Sequence, residues 1–390
     1  MIGNFVFQNP TKIIFGEGAL SALSEELKEY GKRILFVYGG GSIKRNGIYQ
    51  KVMDILSKLG KEVTELPGVM PNPTLDKLHE GITLAKKSKA EFILAVGGGS
   101  VIDYAKALSA SVNLLGDPWE EYFTKFHEPT CQVLPIGTVL TMVGTGSEMN
   151  GGSVITNKKL GLKVGKVFGT ELFPKFSILD PTFTYSLPHY QMISGISDIL
   201  SHLMEQYFSG NDDSVSDYLM EGLMRSVIDN SKIAVKNPTN YQARSNLMWA
   251  ATLALNTLVE CGKAGDWNVH MIGQAVGAIT NAAHGMTLSA VEIPYYKLIY
   301  RYGLHQFAKF AKNVWMIPTA DKSEEELALL GIDALENYLR EMGMSLSIKD
   351  FGATREDIPN IVHATLLGNA GYHPLCKEEV RAILESSLDY

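Results

Sequence analysis

The sequence has few cysteines, no long apolar run and no concentration of basic residues. Its 390 residues include three cysteines, which are too few for a disulfide framework in a chain of this length and favour a reducing compartment. No stretch approaches the roughly 20 uninterrupted apolar residues that a membrane helix needs. No charged N-terminal region precedes a long apolar run, as it would in a signal peptide. We therefore expect a cytoplasmic protein that does not cross a membrane.

The charge balance excludes one class of partner. The formal net charge is −7, and the basic residues are scattered along the chain. Nucleic-acid-binding proteins usually carry a basic patch or stripe, so we expect no nucleic-acid partner. The length of the chain exceeds what one hydrophobic core usually serves, and this predicts two domains.

The first half of the sequence alternates short β-branched runs with helical patterns. This alternation predicts a mainly parallel, Rossmann-like α/β sheet. The predicted strands are residues 12–15, 33–38, 62–66, 92–96, 132–136 and 177–179. The predicted helices are residues 19–30, 48–59 and 75–87.

The pattern changes at the segment DPTFTYSLP, residues 180–188, which carries two prolines and ends the strand pattern. Beyond it the sequence shows long helical patterns and almost no strand signal. The predicted helices are residues 189–208, 214–233, 241–261, 267–280 and 323–342. We therefore predict an α/β domain at residues 1–183 and an all-helical domain at residues 184–390.

Two predicted strands run into three consecutive glycines and then into a helical pattern, at residues 39–42 and 97–100. Glycine lets the backbone approach a ligand closely, and a helix N-terminus offers free N–H groups to an anion. A pair of such loops predicts a phosphate cradle, although each alone is equally typical of a tight turn. Neither loop is GxGxxG, so the ordinary dinucleotide fingerprint is absent. A third small-residue stretch, TMVGTGSEMN at residues 141–150, is rich in hydroxyls and is a candidate for pyrophosphate or ribose contact.

Four residues of the second half form a candidate set of metal ligands. Asp198 and His202 are four residues apart in a helical pattern, which places both on one helix face. Alone they would be read as an ordinary helix pair. His270 and His284 are flanked by apolar residues, and a buried histidine needs a partner for each ring nitrogen. One carboxylate and three imidazoles suit Fe2+ or Zn2+.

These motifs resemble the iron-containing (group III) alcohol dehydrogenase family, most closely its butanol dehydrogenase and NADPH-dependent aldehyde reductase branch. The resemblance covers essentially the whole chain. Its motifs stand in family order as PTKIIFGEGAL, VYGGGSIKRNG, PNPT, AVGGGSVIDYAK, GTGSEMN, ILDPTFTY, GISDILSHLMEQY and HMIGQAVGAITNAAHG. The last two are the most specific, because they carry the four candidate ligands at the family spacing.

The resemblance implies a dehydroquinate-synthase-like fold, with the cofactor in the cleft between the domains, and a homodimer. It implies that the metal ligands are Asp198, His202, His270 and His284. It implies cofactor contacts from Gly39, Gly40, Ser42, Asn72, Gly97, Gly98, Gly99, Ser100, Asp103, Thr141, Thr145, Asn150 and Lys163.

The chain departs from commoner family patterns at two positions. Relatives that prefer NAD often carry an aspartate where this chain has Gly39, and an aspartate there would repel the 2′-phosphate of NADP. Lys44 and Arg45 close by offer that phosphate donors, so we expect NADP(H) rather than NAD(H). Many relatives carry a histidine at the position of Gln274. Glutamine does not titrate, so a proton relay through that position is not expected here.

The expected function is that of a metal-dependent NAD(P)-linked enzyme. We expect it to interconvert small primary alcohols such as butanol and the corresponding aldehydes by hydride transfer, with the metal as Lewis acid. A glycerol-dehydrogenase-like polyol oxidoreductase is the first alternative. A dehydroquinate-synthase-like lyase is a second, but it needs basic residues for a phosphorylated substrate. The surroundings of the ligands are apolar instead, as at Trp267, Val269, Met271, Ile272 and Val276. A non-catalytic nucleotide-binding protein would not need four convergent ligands.

Overall fold

The computed structural model describes residues 3–390, which divide into two units. One unit is Gln8–Leu187, and the other is Pro188–Tyr390 together with residues 3–7. The proline-containing segment 180–188, at which the strand pattern ends, spans this division.

The first unit is built on a six-stranded sheet in the order β1-β8-β5-β4-β2-β3. Every neighbouring pair in this sheet is parallel. The sheet strands are β1 (Lys12–Phe15), β2 (Arg33–Tyr38), β3 (Glu62–Leu66), β4 (Phe92–Gly97), β5 (Ile136–Leu140) and β8 (Phe176–Leu179). A parallel sheet of strands alternating with helices confirms the predicted Rossmann-like α/β architecture.

Strand β5 corrects one sequence-based prediction. The sequence pattern predicts a strand at residues 132–136, but the strand is Ile136–Leu140. Pro135 stands immediately before it and has no N–H to donate to a neighbouring strand. The strand therefore begins after the proline and takes in Gly137 and Thr138, whose small or polar side chains weaken the apolar signal.

A two-stranded antiparallel hairpin of the first unit is also not predicted by the sequence pattern. It consists of β6 (Gly152–Asn157) and β7 (Leu162–Val167). The sequence of β7, LKVGKV, carries two lysines and a glycine, so it lacks the apolar alternation of an ordinary strand. An isolated bridge joins Thr156 of the hairpin to Thr74.

The helices of the first unit pack against this sheet. They are α1 (Leu23–Glu26), α2 (Ser42–Arg45), α3 (Ile48–Lys58), α4 (Leu75–Ser88) and α5 (Gly99–Ser111). Strand β4 is buried along its whole length, as expected for a central strand covered on both faces. Its aromatic residue Phe92 stacks on Phe176 of β8 with ring centroids 5.9 Å apart.

The second unit contains helices and no strand among its described residues, which confirms the all-helical prediction. The helices are α6 (His189–Tyr207), α7 (Val215–Lys236), α8 (Tyr241–Ala254), α9 (Asn268–Thr280), α10 (His284–Ile299), α11 (Leu304–Asn313), α12 (Glu324–Met342), α13 (Ile358–Ala364) and α14 (Lys377–Leu388). Helix α8 ends before the predicted residue 261. Thr257 follows it with a left-handed φ of 75°, which a helix does not tolerate.

Helix α6 is the central helix of this unit. Every residue from Met192 to Tyr207 is buried. Helices α7, α9 and α10 all pack against it. Because α6 has no solvent-facing side over this length, its polar side chains must find partners inside the protein.

All three cysteines, Cys131, Cys261 and Cys376, are free thiols. None of the helices in the part of the chain that the structure describes has the length and apolarity to cross a membrane.

Candidate metal centre and nucleotide-binding loops

The four predicted metal ligands lie on three helices of the second unit. Helix α6 carries Asp198 and His202 one turn apart, and α9 carries His270 in its first turn. His284 is the first residue of α10. The packing of α10 against both α6 and α9 brings the three helices together at this point.

One nitrogen of each candidate histidine lies close to the Asp198 carboxylate. Asp198 Oδ1 lies 3.7 Å from His202 Nε2, 3.8 Å from His270 Nε2 and 3.7 Å from His284 Nε2. Four donors bound tetrahedrally to Zn2+ would lie about 3.3–3.6 Å apart. The observed spacing is slightly wider, so these residues could close on one ion with small side-chain movements. Asp198, His202 and His270 form a compact group whose donor atoms all lie within 4.8 Å of one another, and His284 lies outside that group.

The polar atoms at this point fit a cation. Asp198 Oδ1 and His270 Nε2 are buried and have no hydrogen-bond partner among the described residues. Burial raises the pKa of Asp198, but the three nearby imidazoles outweigh it and hold that pKa well below its usual range. Burial lowers the pKa of His270, but Glu205 and Asp198 outweigh it and raise the pKa to about 9. The surroundings therefore stabilise positive charge at this point.

The centre is open on one side. The side chain of His284 is 24% exposed, against 5–7% for the other three candidate ligands. The indole ring of Trp267 lies edge-on to His270 and to His202, with centroid distances of 5.3 and 6.2 Å. His284 is therefore the candidate ligand that solvent reaches most, and Trp267 lies beside His202 and His270.

Two other polar residues of this unit bear on the metal centre. Gln274 is buried on α9, one turn after His270. His373 is paired with Glu379 Oε1 at 2.7 Å and stacks on Tyr302 with ring centroids 4.3 Å apart. It has these local partners and is not among the four convergent donors.

Sequence reasoning missed one charged residue at this centre. Glu205 on α6 is fully buried, and its carboxylate contacts His270 Nδ1. Glu205 follows His202 by three residues in an apolar helix, and residues three apart lie on the same helix face. This spacing could have indicated that Glu205 lies near the candidate ligands. The sequence alone does not show that this face meets the start of α9.

The two glycine loops of the first unit lie where the strand order of its sheet reverses. Strands β2 and β4 are neighbours, yet the chain passes from β2 to β3 on one side and from β4 to β5 on the other. The loops follow β2 and β4 at their carboxyl ends. Open α/β sheets bind ligands in the crevice at such a point.

The loop 141–150 packs against the second glycine loop. The backbone N–H of Thr141 donates to the carbonyl of Gly97 at 2.9 Å. A Cβ on Gly99 would lie 2.3 Å from the Thr145 side chain, so only glycine allows this close approach. The predicted cofactor residues Gly97, Gly98, Gly99, Ser100, Thr141 and Thr145 therefore lie in two adjoining segments.

Side-chain hydrogen bonds of Asp103 and Asn150 stabilise the loop 141–150. Asp103 accepts hydrogen bonds from Ser147 Oγ at 2.5 Å and from the backbone N–H of Val154 at 3.0 Å. The side-chain amide of Asn150 donates to the Gly146 carbonyl at 2.9 Å. Both residues, which the resemblance assigns to the cofactor, thus have protein partners in this structure.

Lys106 is a further residue that sequence reasoning missed. It is fully buried on α5, and its ammonium donates to the carbonyls of Ser147 and Asn150 and to Asn150 Oδ1, at 2.9, 3.0 and 3.0 Å. Burial lowers the pKa of Lys106 to about 8, although Asp103 opposes this shift. Three acceptors around one buried ammonium anchor the loop 141–150 to α5.

The structure distinguishes two lysines of the hairpin strand β7. Lys163 donates to Asn72 Oδ1 at 2.7 Å, which brings together two predicted cofactor residues. Lys166 pairs with Glu128 instead. Asn72 has a left-handed φ of 55°, a conformation that asparagine tolerates better than most residues.

The first glycine loop is close to charged groups of both signs. The Lys44 ammonium lies 4.5 Å from the centroid of the Tyr49 ring and 3.9 Å from the Glu65 carboxylate. Arg45 makes no ion pair with any described residue. A Cβ on Gly39 would lie 3.3 Å from the Val69 carbonyl and 3.8 Å from the Val101 side chain of α5. Residues 39–42 therefore adjoin the helix that follows the second glycine loop.

Comparison with known proteins extends over both units. Residues 10–181 match the model of the iron-containing alcohol dehydrogenase family, and residues 192–388 match the C-terminal model of the same family. The chain is 41% identical over 389 residues to "Probable NADH-dependent butanol dehydrogenase 1" of Bacillus subtilis, covering 99% of this chain and 100% of that protein. It is 35% identical to "NADPH-dependent aldehyde reductase YqhD" of Escherichia coli, over 93% of this chain and 92% of that protein.

A solved structure agrees with these matches. The NADH-dependent butanol dehydrogenase A of Thermotoga maritima superposes with a TM-score of 0.95 at 40% identity, covering 99% of each chain. Family matches in both units and a relative similar along its whole length lead to one conclusion. The chain belongs to the iron-containing alcohol dehydrogenase family.

Proposed function

We propose that this enzyme reduces small aliphatic aldehydes to primary alcohols, and catalyses the reverse reaction, at one divalent cation held by Asp198, His202, His270 and His284. Interconversion of alcohols and aldehydes with NAD(P) follows from the family. The proposal adds the ligand set, an Fe2+ or Zn2+ ion and butanal or butanol as a representative substrate. The observation that supports it most is that three imidazole nitrogens lie within 3.8 Å of the buried Asp198 carboxylate.

The residues around the proposed metal centre have different roles. A divalent ion bound there supplies Lewis-acid polarisation of a carbonyl. Trp267 keeps water from one side of the ligands and offers an apolar surface that suits an aliphatic chain. His284 marks the side from which substrate enters. Gln274 cannot exchange a proton in the physiological range, so we assign it a hydrogen-bonding role only.

We assign NADP(H) as the preferred cofactor. Gly39, the residue after β2, has no side chain that could repel a 2′-phosphate. Arg45 lies close to this loop and makes no ion pair among residues 3–390, so its guanidinium is available to bind a phosphate. The Glu65 carboxylate near Lys44 acts in the opposite direction. Relatives of similar identity carry names with either cofactor, so this assignment rests on the residues of this chain.

We also propose a homodimer in the cytoplasm. Strand β1 lies at one edge of the sheet, where β8 is its only neighbour among residues 3–390, and its Phe15 is 40% exposed. An exposed edge strand can pair with a second copy of the chain. The three free thiols agree with a reducing compartment.

The direct test is a panel of cofactors and substrates, combined with metal analysis of the purified protein. Butanal, butanol and glycerol are assayed with NADP(H) and NAD(H) on protein loaded with Fe2+ or Zn2+. We expect butanal reduction with NADPH to be the fastest reaction and a single ion to be bound per chain. Faster turnover of glycerol than of butanol would favour a polyol oxidoreductase. Activity that is unchanged after removal of all metal would contradict the proposed centre.

Lys106 provides a test of the nucleotide loops. Replacing it by methionine keeps the length of the side chain but leaves Asp103 without its nearby positive charge and two buried carbonyls without a donor. Leaving a buried acceptor without its donor costs about 1–3 kcal/mol, and the loop 141–150 should loosen. We expect the KM for the cofactor to rise about tenfold with a smaller change in kcat.

The matched control for this variant is Lys166→Met. Lys166 is also a buried lysine of the first unit, but it pairs with Glu128 and does not contact the loop 141–150. Steady-state kinetics with varied cofactor compare the two variants. An equal effect of both on cofactor KM would show that the loop is not held through Lys106.

A further inference from the structure

The buried carboxylate of Glu205 holds one candidate metal ligand at two places. Oε2 contacts Nδ1 of the His270 ring, and Oε1 accepts the backbone N–H of His270 at 3.2 Å. Ser201 Oγ donates to Oε2 at 3.4 Å from one turn earlier on α6. A single side chain therefore restrains both the ring and the backbone of His270.

The start of α9 explains why this restraint is needed. The first N–H groups of a helix have no partner within the helix and usually receive one from an N-cap side chain. The N-cap residue of α9 is Trp267, which has a left-handed φ of 63° and makes no side-chain cap. Asp266 accepts the N–H of Asn268 at 3.2 Å, and Glu205 accepts that of His270. Glu205 thus acts from a neighbouring helix as part of the missing cap.

The contact with Nδ1 also determines which ring nitrogen faces the other ligands. A carboxylate beside Nδ1 keeps a proton on that nitrogen, so the lone pair of Nε2 is left to bind a metal. Nε2 of His270 is buried without a hydrogen-bond partner among the described residues and lies 3.8 Å from Asp198 Oδ1. The ring is therefore oriented with Nε2, rather than Nδ1, toward the other candidate ligands.

We infer that Glu205 is a positioning residue for the metal centre. It sets the orientation and tautomer of His270, and its negative charge favours a cation on the opposite side of the ring. This inference rests on the proposed ligand set. It adds a residue on which metal retention depends, although that residue does not itself bind the ion.

A structural role without effect on the metal is the competing explanation, and Glu221 offers a matched control. Glu221 is a buried glutamate of the same helical unit, on α7. Its Oε1 accepts hydrogen bonds from Tyr207 at 2.7 Å and from Asn313 at 3.0 Å. Substitution to glutamine at 205 or at 221 removes a charge from a buried carboxylate and retains an oxygen acceptor of the same reach.

The experiment measures the affinity of the metal-stripped full chain for Zn2+ in competition with a chromophoric chelator. We expect Glu205→Gln to bind Zn2+ about 10- to 100-fold more weakly than the unaltered chain, and Glu221→Gln to bind as the unaltered chain does. With Co2+ in place of Zn2+, the visible absorption bands of Glu205→Gln should shift, because the ligand field changes when the His270 ring turns. The bands of Glu221→Gln should not shift.

Two outcomes separate the possible failures. If the unaltered chain does not bind Zn2+, the proposed ligand set is wrong. If the unaltered chain binds Zn2+ and Glu205→Gln matches it in affinity and in the Co2+ spectrum, the positioning role alone is wrong. Should Glu205→Gln fail to fold, Glu205→Asp replaces it. It keeps the charge but shortens the reach by one methylene group, and wild-type affinity and spectrum in that variant would equally overturn the inference.

Discussion

The His270→Ala variant is expected to lose its bound metal and about a thousandfold in kcat/KM for butanal. The substitution removes one of four donors and leaves the carboxylate of Glu205 buried without its imidazole partner. Lewis-acid stabilisation of the reacting oxygen is worth several kcal/mol, and about 4 kcal/mol corresponds to a thousandfold in rate. Metal analysis of the purified variant and steady-state kinetics with NADPH measure the two losses.

His373→Ala is the control for this prediction. His373 lies in the same helical unit, but its partners are Glu379 and Tyr302. We expect this variant to keep its metal and most of its activity. Full metal content together with full turnover in His270→Ala would refute the assigned centre.

The Gly39→Asp variant is expected to reverse the cofactor preference, with kcat/KM for NADPH falling about a hundredfold. A carboxylate at the end of β2 would face the 2′-phosphate, and like charges brought together cost several kcal/mol, of which about 2.7 kcal/mol already gives a hundredfold. The same carboxylate can hydrogen-bond the ribose hydroxyls of NADH. Activity with NADH should therefore be kept or improved.

Gly39→Asn separates charge from size. A Cβ at this position lies 3.3 Å from the Val69 carbonyl, so any side chain requires a shift of a few tenths of an ångström. Asparagine has the shape of aspartate without its charge, and we expect it to change the NADPH to NADH ratio much less. If both variants lower kcat/KM equally with both cofactors, crowding of the loop rather than charge is the cause. If Gly39→Asp leaves the ratio unchanged, the 2′-phosphate does not lie beside residue 39.

The elements that the sequence predicts well are those defined by local pattern. Strands β2 and β4 are apolar runs that end in glycines, and both lie where the pattern predicts. The pairing of Asp198 with His202 follows from helix periodicity alone. The apolar residues around His270 and His284, together with the family resemblance, predict that these two histidines belong to the same site. In the structure, all three histidines lie within 3.8 Å of the Asp198 carboxylate.

The features that escaped prediction depend on contacts between distant segments. Lys106 is the one lysine of a helix that is buried on nearly all sides, and only the folded loop 141–150 supplies its three acceptors. Glu205 is likewise one glutamate of α6, and its role arises because α9 lacks an N-cap side chain. The hairpin strand β7 carries two lysines that are buried by partners elsewhere in the first unit, Asn72 and Glu128. Local hydrophobicity contains no information about these partners.

The distribution of the candidate ligands over three helices has a consequence for the stability of the protein against unfolding. An ion held by residues 202, 270 and 284 would tie together chain segments that are far apart in sequence, much as a covalent cross-link does. This chain has no disulfide among its described residues, so the bound ion would take the place of a covalent cross-link. Unfolding would then require release of the ion, and resistance to heat and to proteases would depend on how much free metal the surroundings contain.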